Sequence, residues 1–408
     1  MAIAAAVVAL GWTALAVRLI RKRPAFRFLT AIDGPLPGDL PAVDAVVPAR
    51  NEGAHVAGTV AALLDQDYPR LAITVVDDQS TDATAEVVAR IAAGSDSVHL
   101  VRGEERPAGW VGKTWAVHQG VQATSAGWLW FVDADMGLHP RALATAVHEA
   151  GRTGADLVSF LPGATCRTFW QGAIGATLGQ ILAQLYPLDR VNDPARPDAI
   201  AAGGFILVRR EAYDRAGGHE ACRREIVDDI QLARKVKESG GRLAVRVAPS
   251  LAWTHMYGGF AEIWVGLRKN AYAGMDYMPH KYVTGSLLAL AMAWIPWIAA
   301  GLGLARGASL LLGLGAWGIL AQAMTSAPVL VFLGLPWWFA FTLPAGISAY
   351  VAIASASVWH YHRGRILWKG REIAASSVAA PAPAGRGEDL EKVVGKTRPG
   401  SPGSSPSV

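Results

Sequence analysis

The chain is poor in cysteine and in charge. Its 408 residues include two cysteines, Cys166 and Cys222, whose spacing suits neither a disulfide framework nor a zinc site. Charged residues make up 17% of the chain, and the net charge of +5 is not gathered into a basic stripe. A nucleic-acid partner is therefore excluded. Two thiols without a pairing pattern favour a reducing compartment.

Apolar residues are correspondingly abundant. They account for 52% of the chain, and the mean hydropathy is +0.25, which is too apolar for a soluble enzyme of this length. The excess is concentrated near both ends, where long stretches carry almost no charge. The sequence therefore predicts membrane segments on both sides of a soluble domain.

The first membrane segment is predicted within residues 1–23. Residues 3–20 form an apolar run of the length that a helix needs to cross a hydrocarbon core of about 30 Å. Basic residues 21–23 follow the run, and no small-residue cleavage site precedes them, which favours an uncleaved anchor over a secretory signal peptide. By the positive-inside rule, these basic residues place the following domain in the cytoplasm.

A second membrane region is predicted after the soluble domain. Residues 258–283 are typical of an interfacial amphipathic helix, and residues 284–359 contain three apolar segments. The tail, residues 360–408, is basic at first and then rich in Pro, Gly and Ser, which predicts disorder. Three crossings from the cytoplasm would leave this basic tail outside. Either one segment is re-entrant, or the tail departs from the positive-inside rule.

Residues 41–257 have the pattern of an α/β domain with a mostly parallel sheet. Short β-branched runs alternate with amphipathic stretches. The predicted strands are residues 43–48, 72–77, 98–102, 128–132, 157–161 and 205–208. Ligands of such sheets bind beyond the carboxyl ends of the strands, so polar residues directly after a strand are the first candidates for a site.

Acidic residues follow two of these strands. Asp77 and Asp78 end the second; Ser80 or Thr81 could cap the next helix, but capping does not explain two acids in front of it. A carboxylate at this edge could accept hydrogen bonds from a nucleobase or a ribose. After residues 128–132, strand alternation would turn two further carboxylates, separated by one residue, to one side. They would repel each other without a hard divalent cation between them.

Two helix starts complete the candidate site. Lys113 lies in a glycine-containing helix start and suits a phosphate, although a surface lysine in a turn is the alternative. Asp228 and Asp229 lie in the first turn of a later helix, where the helix dipole explains one acid. Either of the two could serve as a general base.

In this order, the motifs resemble inverting glycosyltransferase family 2, whose members have the Rossmann-like GT-A fold. The specific likeness is to the membrane-bound branch associated with hopanoid and carotenoid lipids. It covers residues 41–282, in which the Gly-Trp-X-Gly-Lys-X-Trp-Ala segment at 109–116 is a more specific part. A second specific segment, Trp-Lys-Gly-Arg at 368–371, lies near the end of the chain.

The resemblance implies a donor site and a metal site. Asp133 and Asp135 match the Asp-X-Asp that holds Mg²⁺ or Mn²⁺ against the donor diphosphate. His255, beside aromatic residues, is either a further metal ligand or a packed core residue. Asp78 matches the acid that contacts the nucleotide base, in a pocket lined by Pro48, Arg50 and Glu52.

The resemblance also implies the catalytic groups. Asp229 would deprotonate the acceptor hydroxyl, and Asp228 stands where the family usually has Glu. Lys113 and Arg268 would neutralise the departing nucleoside diphosphate, and Gly203 belongs to the segment that shapes the acceptor side.

The implied activity is inverting, metal-dependent transfer of one sugar from a nucleotide-sugar, a UDP-sugar, to a lipid hydroxyl. The protein would cross the cell membrane several times, and the transfer would take place at the cytoplasmic face. The Gln-X-X-Arg-Trp box of processive synthases is not intact at residues 264–270, which argues against a polysaccharide synthase. Transfer to a polyprenyl phosphate is a second alternative. A membrane scaffold with a degenerate nucleotide-binding domain is the non-enzyme alternative, which the intact acids disfavour.

Overall fold

The fold combines a seven-stranded sheet with long apolar helices. The computed structural model describes residues 1–21, 28–36, 38–254, 257–368 and 371–374, with side chains up to residue 364. The strands are β1 (Val43–Ala49), β2 (Leu71–Asp77), β3 (Val98–Arg102), β4 (Trp128–Phe131), β5 (Met136–Leu138), β6 (Leu157–Leu161), β7 (Gly163–Ala164), β8 (Ile206–Arg209), β9 (Leu243–Val247), β10 (Ala252–Thr254), β11 (Arg365–Trp368) and β12 (Arg371–Ala374).

Helices connect these strands and follow the sheet domain. They are α1 (Ala2–Arg21), α2 (Val56–Leu64), α3 (Thr84–Ala92), α4 (Gly112–Gln122), α5 (Ala142–Thr153), α6 (Phe169–Leu185), α7 (Leu188–Val191), α8 (Arg210–Arg215), α9 (Gly218–Ala221), α10 (Asp228–Glu238), α11 (Phe260–Ala271), α12 (Pro279–Arg306), α13 (Ser309–Leu333) and α14 (Leu343–His362). Two 3-10 turns, Ala273–Met275 and Trp337–Phe341, lie between the last helices.

The main sheet has the order β3-β2-β1-β4-β8-β6-β9. The strand β8 runs antiparallel to its neighbours β4 and β6, and the other pairings are parallel. The predicted α/β class and the mostly parallel sheet are therefore confirmed. The six predicted strands are present; β9 and a small second sheet, β5-β10-β7, were not predicted.

Both faces of the sheet are buried, which explains its near-continuous apolar strands. Val47 and Trp130 pack on one face, and Val46 and Leu129 pack on the other. A β-carbon at Gly120 would lie 2.5 Å from the Val46 side chain, so glycine lets α4 approach β1 closely. This contact packs α4 against β1, and Lys113, at the start of the helix, lies beside Asp133 at the carboxyl edge of the sheet.

Three described helices, α1, α12 and α13, are long and apolar enough to cross a membrane. The apolar segment predicted at 3–20 corresponds to α1. The predicted interfacial helix is interrupted, because α11 ends at Ala271 and both Asp276 (φ 54°) and Tyr277 (φ 53°) adopt left-handed backbone conformations. The next helix already begins at Pro279 and continues for 28 residues.

The helices α12 and α13 form an antiparallel hairpin with close backbone contacts. A β-carbon at Gly303 would lie 2.3 Å from the Leu312 nitrogen, as expected for small residues between membrane helices. Pro296 lies inside α12 and has no N–H, which leaves a carbonyl without its helical donor. The Gln322 amide donates to the carbonyls of Met292 and Ala293, at 2.8 and 3.0 Å.

One helix of the sheet domain, α6, packs against α13 and α14. The buried Gln180 amide donates to the hydroxyl of Thr325 at 2.7 Å. On α14, glycine at position 346 is required, because a β-carbon there would lie 2.1 Å from the Thr177 hydroxyl oxygen. The sheet domain is thereby fastened to the apolar helices.

Candidate active site

A cluster of charged residues lies at the carboxyl edge of the sheet. Lys113 Nζ, from the first turn of α4, lies 2.8 Å from Asp133 Oδ1 and 3.8 Å from Asp228 Oδ1. Asp133 follows β4, and Asp228 opens α10. The structure thus brings together residues that are far apart in the sequence. A cavity beside them is lined by Pro48, Lys113, Phe131, Asp133, Gly203, His219 and Asp228.

Gly203 is the point at which this cluster converges. Its N–H donates to Asp229 Oδ2 at 2.9 Å. A β-carbon at Gly203 would lie 2.9 Å from Lys113 Nζ, 3.3 Å from Asp229 Oδ2 and 3.5 Å from Asp133 Oδ2. Glycine at this position lets these three groups face one another without being displaced.

The pKa values of the two neighbouring acids of α10 are shifted in opposite directions. Burial alone would raise the pKa of Asp228, but the Lys113 charge and the contact with His219 outweigh it and lower that pKa below the ordinary value. Burial, together with the nearby Asp228 charge, raises the pKa of Asp229 to about 6. Burial alone would lower the pKa of Lys113, but the surrounding carboxylates outweigh it and raise that pKa above the usual value. Asp229 is therefore the acid able to exchange a proton near neutral pH.

Asp133 and Asp135 lie in a turn between β4 and β5, not in a strand, so strand alternation does not set their directions. The Thr59 hydroxyl holds this turn by donating to the Ala134 carbonyl at 2.8 Å. The Asp135 carboxylate accepts the Thr254 hydroxyl at 3.3 Å, whereas Asp133 contacts Lys113.

This turn suits a hard divalent cation that is completed by other ligands. It offers two carboxylates, and no group of three Asp, Glu, His or Cys residues converges among the described residues. Mg²⁺ is commonly held in this way, by one or two carboxylates together with substrate phosphates and water. The residues present therefore fit a cation shared with a bound diphosphate. His255, the further candidate ligand, lies outside the described residues.

The predicted base pocket lies where β1 and β2 end. The Arg50 guanidinium donates to the carbonyl of Gln79 at 2.9 Å, and Pro48 lines the cavity next to Lys113. Asp78 is buried, with 2% of its surface exposed.

Side chains join the two loops that follow these strands. Thr81 N–H donates to the Asn51 side chain at 2.8 Å, and Glu52 N–H donates to the Thr84 hydroxyl at 2.8 Å. The predicted cap at Ser80 or Thr81 is not formed, because α3 begins only at Thr84. Ser80 instead accepts a hydrogen bond from Asn51 N–H at 3.0 Å.

Arg268 lies apart from the charged cluster in its described contacts. It hydrogen-bonds His360 Nε2 at 3.1 Å, which joins α11 to the end of α14. No contact between Arg268 and Lys113 or Asp133 occurs among the described residues. One site residue that sequence reasoning missed is His219, which lines the cavity; the adjacent glycines Gly217 and Gly218 were the available signal.

Comparison with known proteins identifies the family to which the sheet domain belongs. Residues 44–217 match the model of Glycosyl transferase family 2. This part of the chain is a glycosyltransferase family 2 domain. The match ends before α10, so Asp228 and Asp229 lie beyond it.

The chain is also similar to one glycosyltransferase in sequence and to another in structure. The 4,4'-diaponeurosporenoate glycosyltransferase of Staphylococcus aureus (strain USA300) is 26% identical over 250 residues, which are 60% of this chain and 65% of that protein. The chain thus spans slightly less than two thirds of that relative. The mannosyltransferase PcManGT from Pyrobaculum calidifontis superimposes with a TM-score of 0.54 at 19% identity, covering 87% of this chain and 99% of its own. The predicted GT-A fold is confirmed.

Replacing Gly203 with Ala is expected to slow any reaction in which this cluster takes part by about tenfold or more, because small displacements of catalytic groups are costly. The added methyl would push away Lys113 Nζ, which lies 2.9 Å from the place that a β-carbon would take. A flexible lysine end can yield, so the melting temperature should stay unchanged. Gly58→Ala on α2, where a β-carbon meets nothing within 4 Å, is the matched control. An unchanged rate in Gly203→Ala would show that the placement of Lys113, Asp133 and Asp229 around Gly203 does not matter for the reaction.

Proposed function

We propose that this protein transfers a single sugar from a nucleotide-sugar, a UDP-sugar, to a hydroxyl of a membrane lipid, with inversion at the anomeric carbon. The observation that carries the proposal is the arrangement around Gly203. A lysine and a metal-compatible carboxylate, Lys113 and Asp133, and the acid Asp229, whose pKa is raised, all have a charged atom within 3.5 Å of the place that a Gly203 β-carbon would take.

The proposed reaction gives these groups different roles. A Mg²⁺ or Mn²⁺ ion held by Asp133 and Asp135 would offset the negative charge that develops on the leaving nucleoside diphosphate. Lys113 would turn from Asp133 towards the same phosphates and add a second positive charge. Asp78, Arg50, Glu52 and Pro48 would hold the nucleotide at the adjoining strand ends.

Asp229 would act as the general base. Its carboxylate takes the proton of the acceptor hydroxyl while the hydroxyl oxygen forms a bond to the anomeric carbon. The bond from that carbon to the diphosphate oxygen breaks on the opposite face, and the electron pair leaves with the diphosphate. Attack and departure on opposite faces invert the configuration.

The lipid acceptor is supported by the apolar helices and by a relative. The sheet domain packs through α6 and α11 against α13 and α14, so the domain is held next to any bilayer that these helices enter. The S. aureus relative is a glycosyltransferase of 4,4'-diaponeurosporenoate, and PcManGT was solved with GDP-Man and Mn²⁺. The name of that relative denotes a carotenoid carboxylate, so the relative supports a carotenoid-like lipid as acceptor. The hydroxyl as the attacking group rests on the resemblance of the motifs, and a carotenoid or hopanoid hydroxyl is the acceptor type we propose.

The proposal is tested with membranes that contain the protein. They are incubated with labelled UDP-sugars and GDP-sugars, and the extracted lipids are examined by mass spectrometry. We expect one added sugar per lipid, loss of the product in EDTA, and recovery with Mn²⁺ or Mg²⁺. Products with many sugars would favour a polysaccharide synthase. Absence of both transfer and donor hydrolysis would favour a scaffold.

We also propose that α14 does not complete a third crossing. It hydrogen-bonds α11 through His360 and stacks Tyr361 on Tyr277 at 4.7 Å, just before α12 begins. Because α12 and α13 are antiparallel, α13 returns to the level at which α12 starts. A re-entrant α14 would keep the basic tail on the same face as the catalytic domain, the cytoplasmic face, in agreement with the positive-inside rule.

Cysteine labelling of intact cells tests this topology. In a Cys166→Ser background, Ala308→Cys, between α12 and α13, should react with an impermeant maleimide from outside. Arg363→Cys, after α14, should react only after the membrane is opened. Cys222 is fully buried and should not react with the maleimide. Labelling of Arg363→Cys in intact cells would show that α14 crosses the membrane.

A further inference from the structure

His219 is a buried polar residue next to the catalytic acids. Only 2% of its surface is exposed, and its ring packs edge-on against Phe131 at 4.9 Å. Its Nε2 lies 3.8 Å from Asp228 Oδ2. A histidine in such an apolar surrounding needs partners for both ring nitrogens.

Tyr213 determines which ring nitrogen carries the proton. The His219 main-chain N–H donates to the Tyr213 hydroxyl oxygen at 2.9 Å, and the same hydroxyl lies 2.9 Å from His219 Nδ1. A main-chain N–H can only donate, so the tyrosine oxygen accepts there. Among the described contacts, Nδ1 is the acceptor within reach of the tyrosine's own proton, so we assign that proton to the Tyr213–Nδ1 hydrogen bond. In the neutral ring the remaining proton is therefore on Nε2, the nitrogen that faces Asp228.

Two glycines make this arrangement possible. Gly217 and Gly218 have φ angles of 79° and 53°, which side-chain-bearing residues rarely adopt. A β-carbon at Gly218 would also lie 2.9 Å from the Tyr213 hydroxyl oxygen. The tight turn is thus shaped to bring the His219 N–H onto Tyr213.

The two oxygens of Asp228 face different partners. Oδ1 lies 3.8 Å from Lys113 Nζ, and Oδ2 faces the His219 Nε2–H. Asp229 has no such pair of partners in its described contacts; its oxygens accept main-chain N–H groups of Gly203 and Ile230, at 2.9 and 2.8 Å.

From this geometry we propose that His219, oriented by Tyr213, is a positioning residue for sugar transfer. It holds the Asp228 carboxylate beside Lys113 and leaves Asp229 as the carboxylate that takes the acceptor proton. The inference rests on the proposed function, because it assigns His219 a role in that same reaction.

Three replacements of His219 separate positioning from packing. Gln places an amide N–H at the position of Nε2, Asn places it nearer to Nδ1, and Leu removes it. We expect His219→Leu and His219→Asn to lower kcat by about tenfold or more, as for other groups that orient a reacting residue. His219→Gln should restore most of kcat, and the KM for the donor should change little throughout. Equal losses in Gln and Asn, or full turnover in Leu, would overturn the proposal.

A second measurement does not depend on activity. In purified protein with ¹⁵N-labelled histidine, studied at a pH at which histidine rings are neutral, the resonance lost in His219→Gln should have the shifts of a ring protonated at Nε2. Tyr213→Phe should change that tautomer ratio. A wild-type ring protonated at Nδ1 would overturn the positioning role even if transfer is observed. Wild-type membranes without transfer would instead count against the proposed function.

Discussion

Replacing Asp229 with Asn is expected to slow sugar transfer by about 10²- to 10⁴-fold, the usual size of general base catalysis. The asparagine oxygen can still accept the Gly203 N–H, which Asp229 accepts at 2.9 Å, so the local fold should persist. What the variant loses is the ability to take a proton. The measurement is kcat with lipid acceptor in vesicles at saturating donor.

Glu238→Gln provides the matched control. It makes the same change from carboxylate to amide at the other end of α10, where Glu238 pairs with Lys235 at 3.3 Å on the surface. Its kcat should equal that of the wild type. Near-normal turnover in Asp229→Asn would reject a hydroxyl acceptor that needs a base. It would favour an acceptor whose oxygen is already anionic, such as a polyprenyl phosphate.

The pH dependence of kcat/KM should reflect the titration of Asp229. Burial and the Asp228 charge raise the pKa of Asp229 to about 6 in the ligand-free protein. A base acts when it is deprotonated, so kcat/KM should be constant well above that pH and fall as the pH drops through it. The residual activity of Asp229→Asn should lack this acidic limb. An unchanged limb in the variant would assign the titration to another group.

The elements of the sheet domain were predictable because their signals are local. A strand such as β1 is buried along most of its length, so its apolar run is visible in the sequence. The acids at the ends of β2 and β4 were predictable as site candidates because they come directly after recognisable strands. The short strands β7 and β10 carry no such signal, because pairing with distant segments stabilises them.

The division of labour within the site could not be predicted. Asp228 and Asp229 are adjacent and chemically alike, and their difference arises from Lys113, His219 and Gly203, which fold onto α10 from distant segments. Helix α6 is another example. Its composition fits the sheet domain, and its packing against α13 becomes visible only in the structure, for example in the contact of Gln180 with Thr325.

Asp133→Asn is the second replacement with a large expected effect, a loss of about 10²- to 10³-fold in transfer rate, comparable to removal of one transition-state charge stabiliser. Asp133 is one of two carboxylates proposed to hold the cation, and it also lies 2.8 Å from Lys113. The measurement is the initial rate over a range of Mn²⁺ concentrations. Asp193→Asn, on a surface loop where Asp193 pairs with Arg196 at 4.0 Å, is the control and should behave as the wild type.

The Mn²⁺ titration separates the two contacts of Asp133. If Asp133 binds the cation, the half-saturating Mn²⁺ concentration should rise, and the rate should recover in part at high Mn²⁺. If Asp133 acts only by holding Lys113, the rate should fall while the half-saturating Mn²⁺ concentration stays the same. Lys113→Met then provides the decisive comparison, because it removes the lysine charge and leaves both carboxylates of the Asp-X-Asp turn in place. Under the proposed mechanism it should lower the rate without weakening the binding of Mn²⁺.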